Sequence, residues 1–356
     1  MRILVDVGHP GQFHLHRNAI RILRERGHEV LLTARNKDIL IDLIERYQMP
    51  YRKLSDQRSG LLGLSRELFE RVTRLRKIVK EFKPDIMYGA GETVAIVGKL
   101  TGVPTIVFTD TENLWVNRII SFRLADTICV PIAFKEDPGK RHIRYDGNHE
   151  LAYLHPNYFK PDPSILELYG LDKDEKYIIV RFVEWKASHD IGQSGFKDKV
   201  KFIKELEKLG RVIISSEKAL DDSLKKFQLE ISPDHFHHIL AFATLYIGEG
   251  ATIASEAAVL GVHALYLNTL RLGYTDEEEE KYNLVFNFPN PENRESQAIE
   301  KAKSLLKIND IKNLGKIKNQ KFLNDKIDVT KFLIWFIEGY PDTVKIMSDS
   351  KGLKKF

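Results

Sequence analysis

One rhythm, repeated twice, constrains this chain more than anything else: a short apolar run rich in β-branched residues, a turn, then a stretch with helical spacing. The first run, residues 2–7 (Arg-Ile-Leu-Val-Asp-Val), passes at once into Gly8-His9-Pro10-Gly11. A short, nearly continuous apolar run bounded by turn residues reads as a buried strand. The helix-period stretch behind it is closed by Gly27, a residue that accepts the left-handed helix stop without strain. Further runs lie at 28–34, 50–54, 85–89, 104–110 and 127–131, with helical stretches between them near 36–47 and 61–82. Consecutive parallel strands need a long crossover, and a helix supplies it, so this order predicts a doubly wound parallel sheet.

Between 147 and 163 the rhythm breaks, where Gly147, Pro156, Pro161 and Pro163 crowd together, and this reads as an interdomain connection. A second series follows, with strands at 177–183, 211–215, 229–231, 244–248 and 263–268 and helices near 195–209, 233–242 and 251–260. The tail from residue 290 is helical, and its amphipathic piece at 329–337 is expected to pack back on the first domain. The expected organisation is an N-terminal Rossmann-like domain at 1–150, a second at 151–327 facing it across a cleft, and a C-terminal helix and tail at 328–356. Ligands of open sheets bind at the carboxyl ends of the strands, where strand order reverses.

Composition narrows the ligand. Over 356 residues the formal net charge is +5, and the chain has one cysteine. Lysines and arginines are spread along the sequence and not gathered into one stripe beside aromatics. That argues against nucleic acid and leaves an anionic small ligand or an acidic membrane surface. Cys129 stands alone, so no disulfide framework or cysteine metal site forms within the chain, and a cytoplasmic setting is favoured. The sequence opens on a strand pattern with no charged-then-apolar leader, and no apolar run approaches the roughly 18 residues that span a bilayer.

The most informative segment is 246–256, Tyr-Ile-Gly-Glu-Gly-Ala-Thr-Ile-Ala-Ser-Glu. A strand ends at Gly248 and a helix begins near Thr252. Glycines at 248 and 250 permit positive φ and let backbone N–H groups approach an anion, which the helix N-terminus also favours. Thr252 can cap the helix and donate to a phosphate oxygen. Glu256, one turn on and on the same face, suits the vicinal hydroxyls of a ribose. The plainer alternative is a glycine turn capping an ordinary crossover helix.

The segment 238–267 resembles the nucleotide-binding segment of GT-B glycosyltransferases, and is similar to both the peptidoglycan N-acetylglucosaminyltransferase and the non-hydrolysing UDP-N-acetylglucosamine 2-epimerase. With Ile3-Leu-Val-Asp-Val-Gly-His-Pro-Gly-Gln-Phe-His14 and Ala187-Ser-His-Asp190, the chain is identified over nearly its full length as a member of the domain of unknown function 354 family. The resemblance implies that the turn of Gly248, Glu249, Gly250 and Ala251, with Thr252, holds the diphosphate of a nucleotide sugar, and that Glu256 holds its ribose. Ala251 replaces a second turn glycine and His263 replaces the usual proline. The resemblance implies no metal ion, and a nucleotide sugar that is substrate and not cofactor.

Other candidates lie at strand ends. Gly8, His9 and Gly11 follow the first strand, and an imidazole in that turn can act as base or hold phosphate. His14 and His16 read more simply as helix-surface histidines. Glu92 follows a Gly-x-Gly turn, and Asp110, Glu112 and Asn113 follow the next strand. Glu92 and Glu112 are candidate bases for glycosyl transfer, with helix capping as the alternative. Arg181 can grip a diphosphate bidentately. His189 is placed like an epimerase histidine near the phosphates. Ser216, beside Ser215 and Glu217, can meet base or ribose or merely cap a helix.

The helix at 61–82 carries an apolar stripe (Leu64, Leu68, Val72, Leu75, Ile78, Phe82) and a basic face of Arg66, Arg71, Arg74, Arg76, Lys77 and Lys80. A crossover helix with a solvated basic face explains it, and docking on anionic lipid, with Leu61, Leu62 and Leu64 as a lip, is the alternative. Three functions follow: a glycosyltransferase moving a sugar from a UDP-type donor to a cell-envelope, glycan or lipid-linked acceptor; a 2-epimerase using paired first-domain acids; or a catalytically silent nucleotide-sugar binder.

Overall fold

A computed structural model describes residues 1–89, 91–112, 117–183, 195–216 and 220–349. The chain forms two compact units, Met1–Tyr153 together with Ile327–Phe356, and Leu154–Lys326. In the first, seven strands pair in parallel: β1 (Arg2–Val7), β2 (Glu29–Asn36), β3 (Tyr51–Asp56), β4 (Ile86–Gly89), β5 (Thr105–Phe108), β6 (Thr127–Pro131) and β7 (His142–Tyr145). Their order is β3-β2-β1-β4-β5-β6-β7, so strand order reverses between β1 and β4. Central β1 is buried from Ile3 to Val7, as its apolar run demands. β7 was not expected from the sequence: His-Ile-Arg-Tyr is four residues of alternating burial at a sheet edge, too short and polar to stand out.

In the second unit β8 (Tyr177–Phe182), β9 (Arg211–Ser216), β10 (Leu245–Gly248), β11 (Ala264–Tyr266) and β12 (Val285–Asn287) form a parallel sheet in the order β12-β11-β10-β8-β9, reversing between β8 and β10. Residues 229–231 are not a strand. A 3-10 helix, Asp222–Phe227, runs up to them, and the pairing made beside them is an isolated bridge from Gln228 to Ile214. β12 and the helix Gly273–Glu280 also escaped the sequence pattern, the first for its length and the second for its acidic composition.

The helix Val329–Glu338 packs on the first unit. Phe332 stacks on Tyr145 with centroids 4.9 Å apart, Thr330 donates to Ala152 O at 2.6 Å, and Glu338 pairs with Arg26. Among the described residues no helix is long and apolar enough to cross a membrane.

The helix Gly60–Phe82 corrects one expectation. Its buried positions are Glu67, Arg71, Leu75, Ile78, Val79 and Phe82, so Arg71 is not on the solvated basic face. These positions are apolar where the helix crosses the body of the sheet and ionised in its N-terminal half, where Glu67 meets Arg35 and Ser55. Arg66, Arg74, Arg76, Lys77 and Lys80 are exposed.

Candidate functional site

Two of the helices that start at the strand-order reversals have a glycine N-cap with no side-chain cap: Gly91 before Glu92–Thr101, and Gly250 before Ala251–Val259. Elsewhere Asp198, Asp310 and Asp328 cap their helices through a carboxylate. A helix N-terminus presents N–H groups without intrahelical partners and a partial positive charge. Left without a side-chain cap, these two ends suit an anion better than the aspartate-capped ones.

In the second unit, neighbouring strands place Gly248 (β10), Arg181 (β8) and Ser215 (β9) in one row at the carboxyl edge. Arg181 Nη1 donates to Ser215 Oγ at 2.7 Å, and the guanidinium lies over the Phe236 ring at 5.7 Å. Ser215, not Ser216, is thus the serine beside Arg181. Ser216 points to the opposite face and lines a pocket of about 330 Å³ with Lys197, Lys199 and Asp221.

Gly248 and Gly250 do not use the positive φ that glycine permits: Gly250 has φ −94°, and Gly248 is absent from the positive-φ positions. Gly248 is needed for space, since a Cβ there would lie 2.1 Å from Tyr246 Oη. Thr252 is the second residue of the helix and not its cap. Ala251 opens that helix. Glu249 is buried, and its carboxylate accepts from Val183 N (3.0 Å) and Phe196 N (2.8 Å), tying the β10 turn to the chain after β8. Glu256 is also buried, with Oε1 3.0 Å from His237 Nε2. His189, Asn113 and Glu217 lie outside the described residues.

In the first unit, His9 is the N-cap of the helix Pro10–Glu25, its Nδ1 accepting from Gly11 N at 3.2 Å, while Gln12 Oε1 accepts from Gly8 N at 2.7 Å. Neutral His9 then carries its proton on Nε2, which suits donation to an anion better than proton abstraction. His14 and His16 are buried, not on the helix surface. His14 stacks on Tyr153, and His16 sits edge-on to Tyr88 and Phe108. Burial, then the charge of His149, pushes the His16 imidazole down to about 3.

Between the β1 and β4 ends Arg71 bridges two acids, with Nη2 3.0 Å from Asp6 Oδ2 and Nη1 3.2 Å from Glu92 Oε1. Burial raises Asp6 above the usual carboxylate value, more than Arg71 pulls it down. Burial works against the Arg71 charge as well, but Asp6 and Glu92 hold it protonated. Further along the edge, buried Glu112 accepts from Lys135 N at 3.0 Å, and Asp110 Oδ2 lies 3.0 Å from His149 Nδ1. Burial opposes ionisation of Asp110, but the charge and hydrogen bond of His149 and the hydrogen bond of Thr111 bring it below the usual value.

His149 carried no functional expectation, and Arg71 carried one only as part of the basic face. Arg71 stands four residues before Leu75 and three after Leu68, in register with the buried stripe, and that spacing was a usable signal. His149 follows β7, so missing that strand hid it.

Two doubly wound parallel sheets in one chain are the GT-B fold class, and solved structures of like fold match this chain over nearly its full length. The UDP-GlcNAc 2-epimerase from Neisseria meningitidis bound to UDP-GlcNAc matches with TM-score 0.70 and 14% identity, covering 95% of this chain and 100% of that one. The S. aureus MnaA–UDP co-structure matches with TM-score 0.68 and 14% identity, over 96% and 97%. The spinosyn rhamnosyltransferase SpnG complexed with spinosyn aglycone matches with TM-score 0.64 and 11% identity, over 95% and 100%. At these identities the likeness is one of fold. By sequence, the chain belongs to the family described as "Protein of unknown function (DUF354)", whose profile matches residues 1–271. No curated protein matches it.

Proposed function

We propose that the chain is a nucleotide-sugar-dependent glycosyltransferase that moves a sugar from a UDP-type donor to a hydroxyl acceptor of the cell envelope. The row Gly248–Arg181–Ser215 beside the uncapped helix Ala251–Val259 carries the reading: a guanidinium and helix N–H groups at one reversal suit a diphosphate. Gly250, Ala251 and Thr252 supply the amide end, Glu256 braced by His237 is the ribose ligand, and Glu249 holds the turn in shape. In the first unit Gly8, His9 and Gly11 form the N-terminal turn through which Nε2 of His9 donates to an anion. The epimerase alternative needs two acids able to take and return a proton, whereas Glu92 is tied to Arg71 and Glu112 to the Lys135 amide. That favours transfer.

UDP at 100 times its dissociation constant should stabilise the chain by about 2.7 kcal/mol, read by thermal shift. With UDP-GlcNAc, acceptor-dependent UDP release supports transfer, and epimerisation without acceptor supports the alternative. Absence of UDP binding overturns the proposal.

The acceptor is proposed to be lipid-linked, because Leu62 (89% exposed) and Phe69 (73%) lie two turns apart on an outer stripe with Arg66, Arg76 and Lys80. The side chain of Leu61 lies outside the described residues. Apolar anchors within a cationic stripe fit an anionic bilayer surface. Co-sedimentation with phosphatidylglycerol vesicles should be lost in Leu62→Ser/Phe69→Ser, and equal binding to neutral vesicles would refute the charge argument.

A further inference from the structure

The helix Pro10–Glu25 buries Phe13 and Ile20, and Arg17 lies on the same stripe, four residues after one and three before the other. Its stem therefore runs through packed surroundings, and the residue is only 8% exposed. Tyr47, which ends the helix Leu40–Arg46, lies against the guanidinium, with Cζ 4.5 Å from the ring centroid. The rings of Phe13 and His14 flank Tyr47, and Tyr153 stacks on His14 with centroids 4.9 Å apart. All of these residues belong to the first unit.

Three arginines are buried among the described residues. Arg71 pairs with Asp6 and Glu92, and Arg294 donates to the carbonyls of Gly195 and Pro289. Arg17 has neither kind of partner among the described residues, and its Nε is sealed from solvent without a hydrogen bond. Nη1 and Nη2 also bond to no described group, but they are not sealed, so a solute can reach them. Burial draws the Arg17 pKa down, Tyr47 and Tyr153 oppose that, Arg21 adds to it, and no carboxylate holds the charge. A buried cation normally has a counter-charge or hydrogen bonds, because its desolvation is otherwise uncompensated.

We propose that Arg17 is the floor of an oxyanion site in the first unit, and that the ligand is a phosphate group. The site is independent of the transferase reading, since it uses neither the β10 turn nor the turn at 8–11. A guanidinium with both Nη atoms open presents a fork that matches two oxygens of one phosphate. Arg21 follows one helical turn later, and its exposed side chain, 2.7 Å from Glu25, is a second cation at the rim. Two cations suit a phosphate dianion better than a monovalent carboxylate. The rings of Tyr47, His14 and Tyr153 form a wall that suits either the free ion or a phosphate carried on an organic molecule.

The test uses the full chain in phosphate-free buffer, titrated with sodium phosphate, phenyl phosphate and acetate. Phosphate is expected to raise the melting temperature and to slow amide exchange in peptides from the helices Pro10–Glu25 and Leu40–Arg46. Arg17→Met should weaken phosphate binding by about tenfold or more, with the UDP dissociation constant within threefold of wild type. Without phosphate it should melt no lower than wild type, because an uncompensated buried charge is gone. Arg17→Lys, which keeps the charge and loses the fork, serves if Arg17→Met does not fold, and should also weaken phosphate binding. Tighter binding of phenyl phosphate than of phosphate supports an organic ligand, and equal binding supports the free ion. Acetate that binds as tightly as phosphate overturns the phosphate assignment. A wild-type chain indifferent to phosphate, or a response that persists in Arg17→Met and disappears in Arg181→Met, overturns the site. So does an Arg17→Met chain that melts below wild type without phosphate, since Arg17 is then a packing residue.

Discussion

Arg71→Met tests whether the ionised half of the helix Gly60–Phe82 works as the structure implies. Arg71 is 7% exposed at its side chain and Asp6 fully buried, with Glu92 as second partner. Removing one member of a buried pair typically costs about 3–5 kcal/mol, because the other charge is left without compensation. Asp6 can escape part of that cost by taking a proton while keeping its hydrogen bond from Thr33 Oγ1 at 2.8 Å. Its folded-state pKa already lies above 3.8, so its contribution is full at acid pH and is lost as pH rises through the folded value. Methionine at 71 removes the charge that pulls this value down, so the loss deepens towards alkaline pH. The variant should therefore lose about 3–5 kcal/mol at pH 8 and clearly less at pH 5. Asp6→Asn/Arg71→Met should flatten that difference. Amide exchange of the β1 peptide, followed by mass spectrometry, reads the first unit alone. A loss under about 1 kcal/mol that is equal at both pH values would refute the reasoning, because it would mean that no buried charge was being compensated.

Gly248→Ala should destabilise the second unit by about 1–3 kcal/mol and abolish UDP binding, as the new Cβ meets Tyr246 Oη within 2.1 Å; melting and calorimetry check it. Arg181→Met should weaken UDP by roughly 10–100-fold, the worth of charge-assisted hydrogen bonds to phosphate, and an unchanged dissociation constant would remove Arg181 from the site. His16, whose pKa falls from 6.5 to about 3 on folding, contributes stability that is full above pH 6.5 and is lost as the unfolded chain binds a proton the folded one refuses. Between pH 8 and pH 5 that loss is about 2 kcal/mol, and His16→Leu should show a flatter acid limb in urea unfolding.

The two sheets were legible because burial on both faces forces near-continuous apolar runs, as at 2–7 and 177–183, and because Gly27, Gly210 and Gly261 mark where helices stop. The turns at 8–11 and 246–252 were legible for the same reason, since strand ends in such sheets are where ligands bind. Short edge strands were not, because His142–Tyr145 and Val285–Asn287 have too few residues to show a period. Sequence alone thus determined the architecture and which loops lie at the carboxyl edges, through local patterning and the crossovers that parallel pairing requires. Only the tertiary structure decided which polar groups meet there: Arg71 buried between Asp6 and Glu92, Ser215 instead of Ser216 beside Arg181, His237 on Glu256, and His149 carried to Asp110. Those pairings join residues that are 19 to 65 positions apart. Their partners are set by how strands order and helices cross, and no local spacing encodes that.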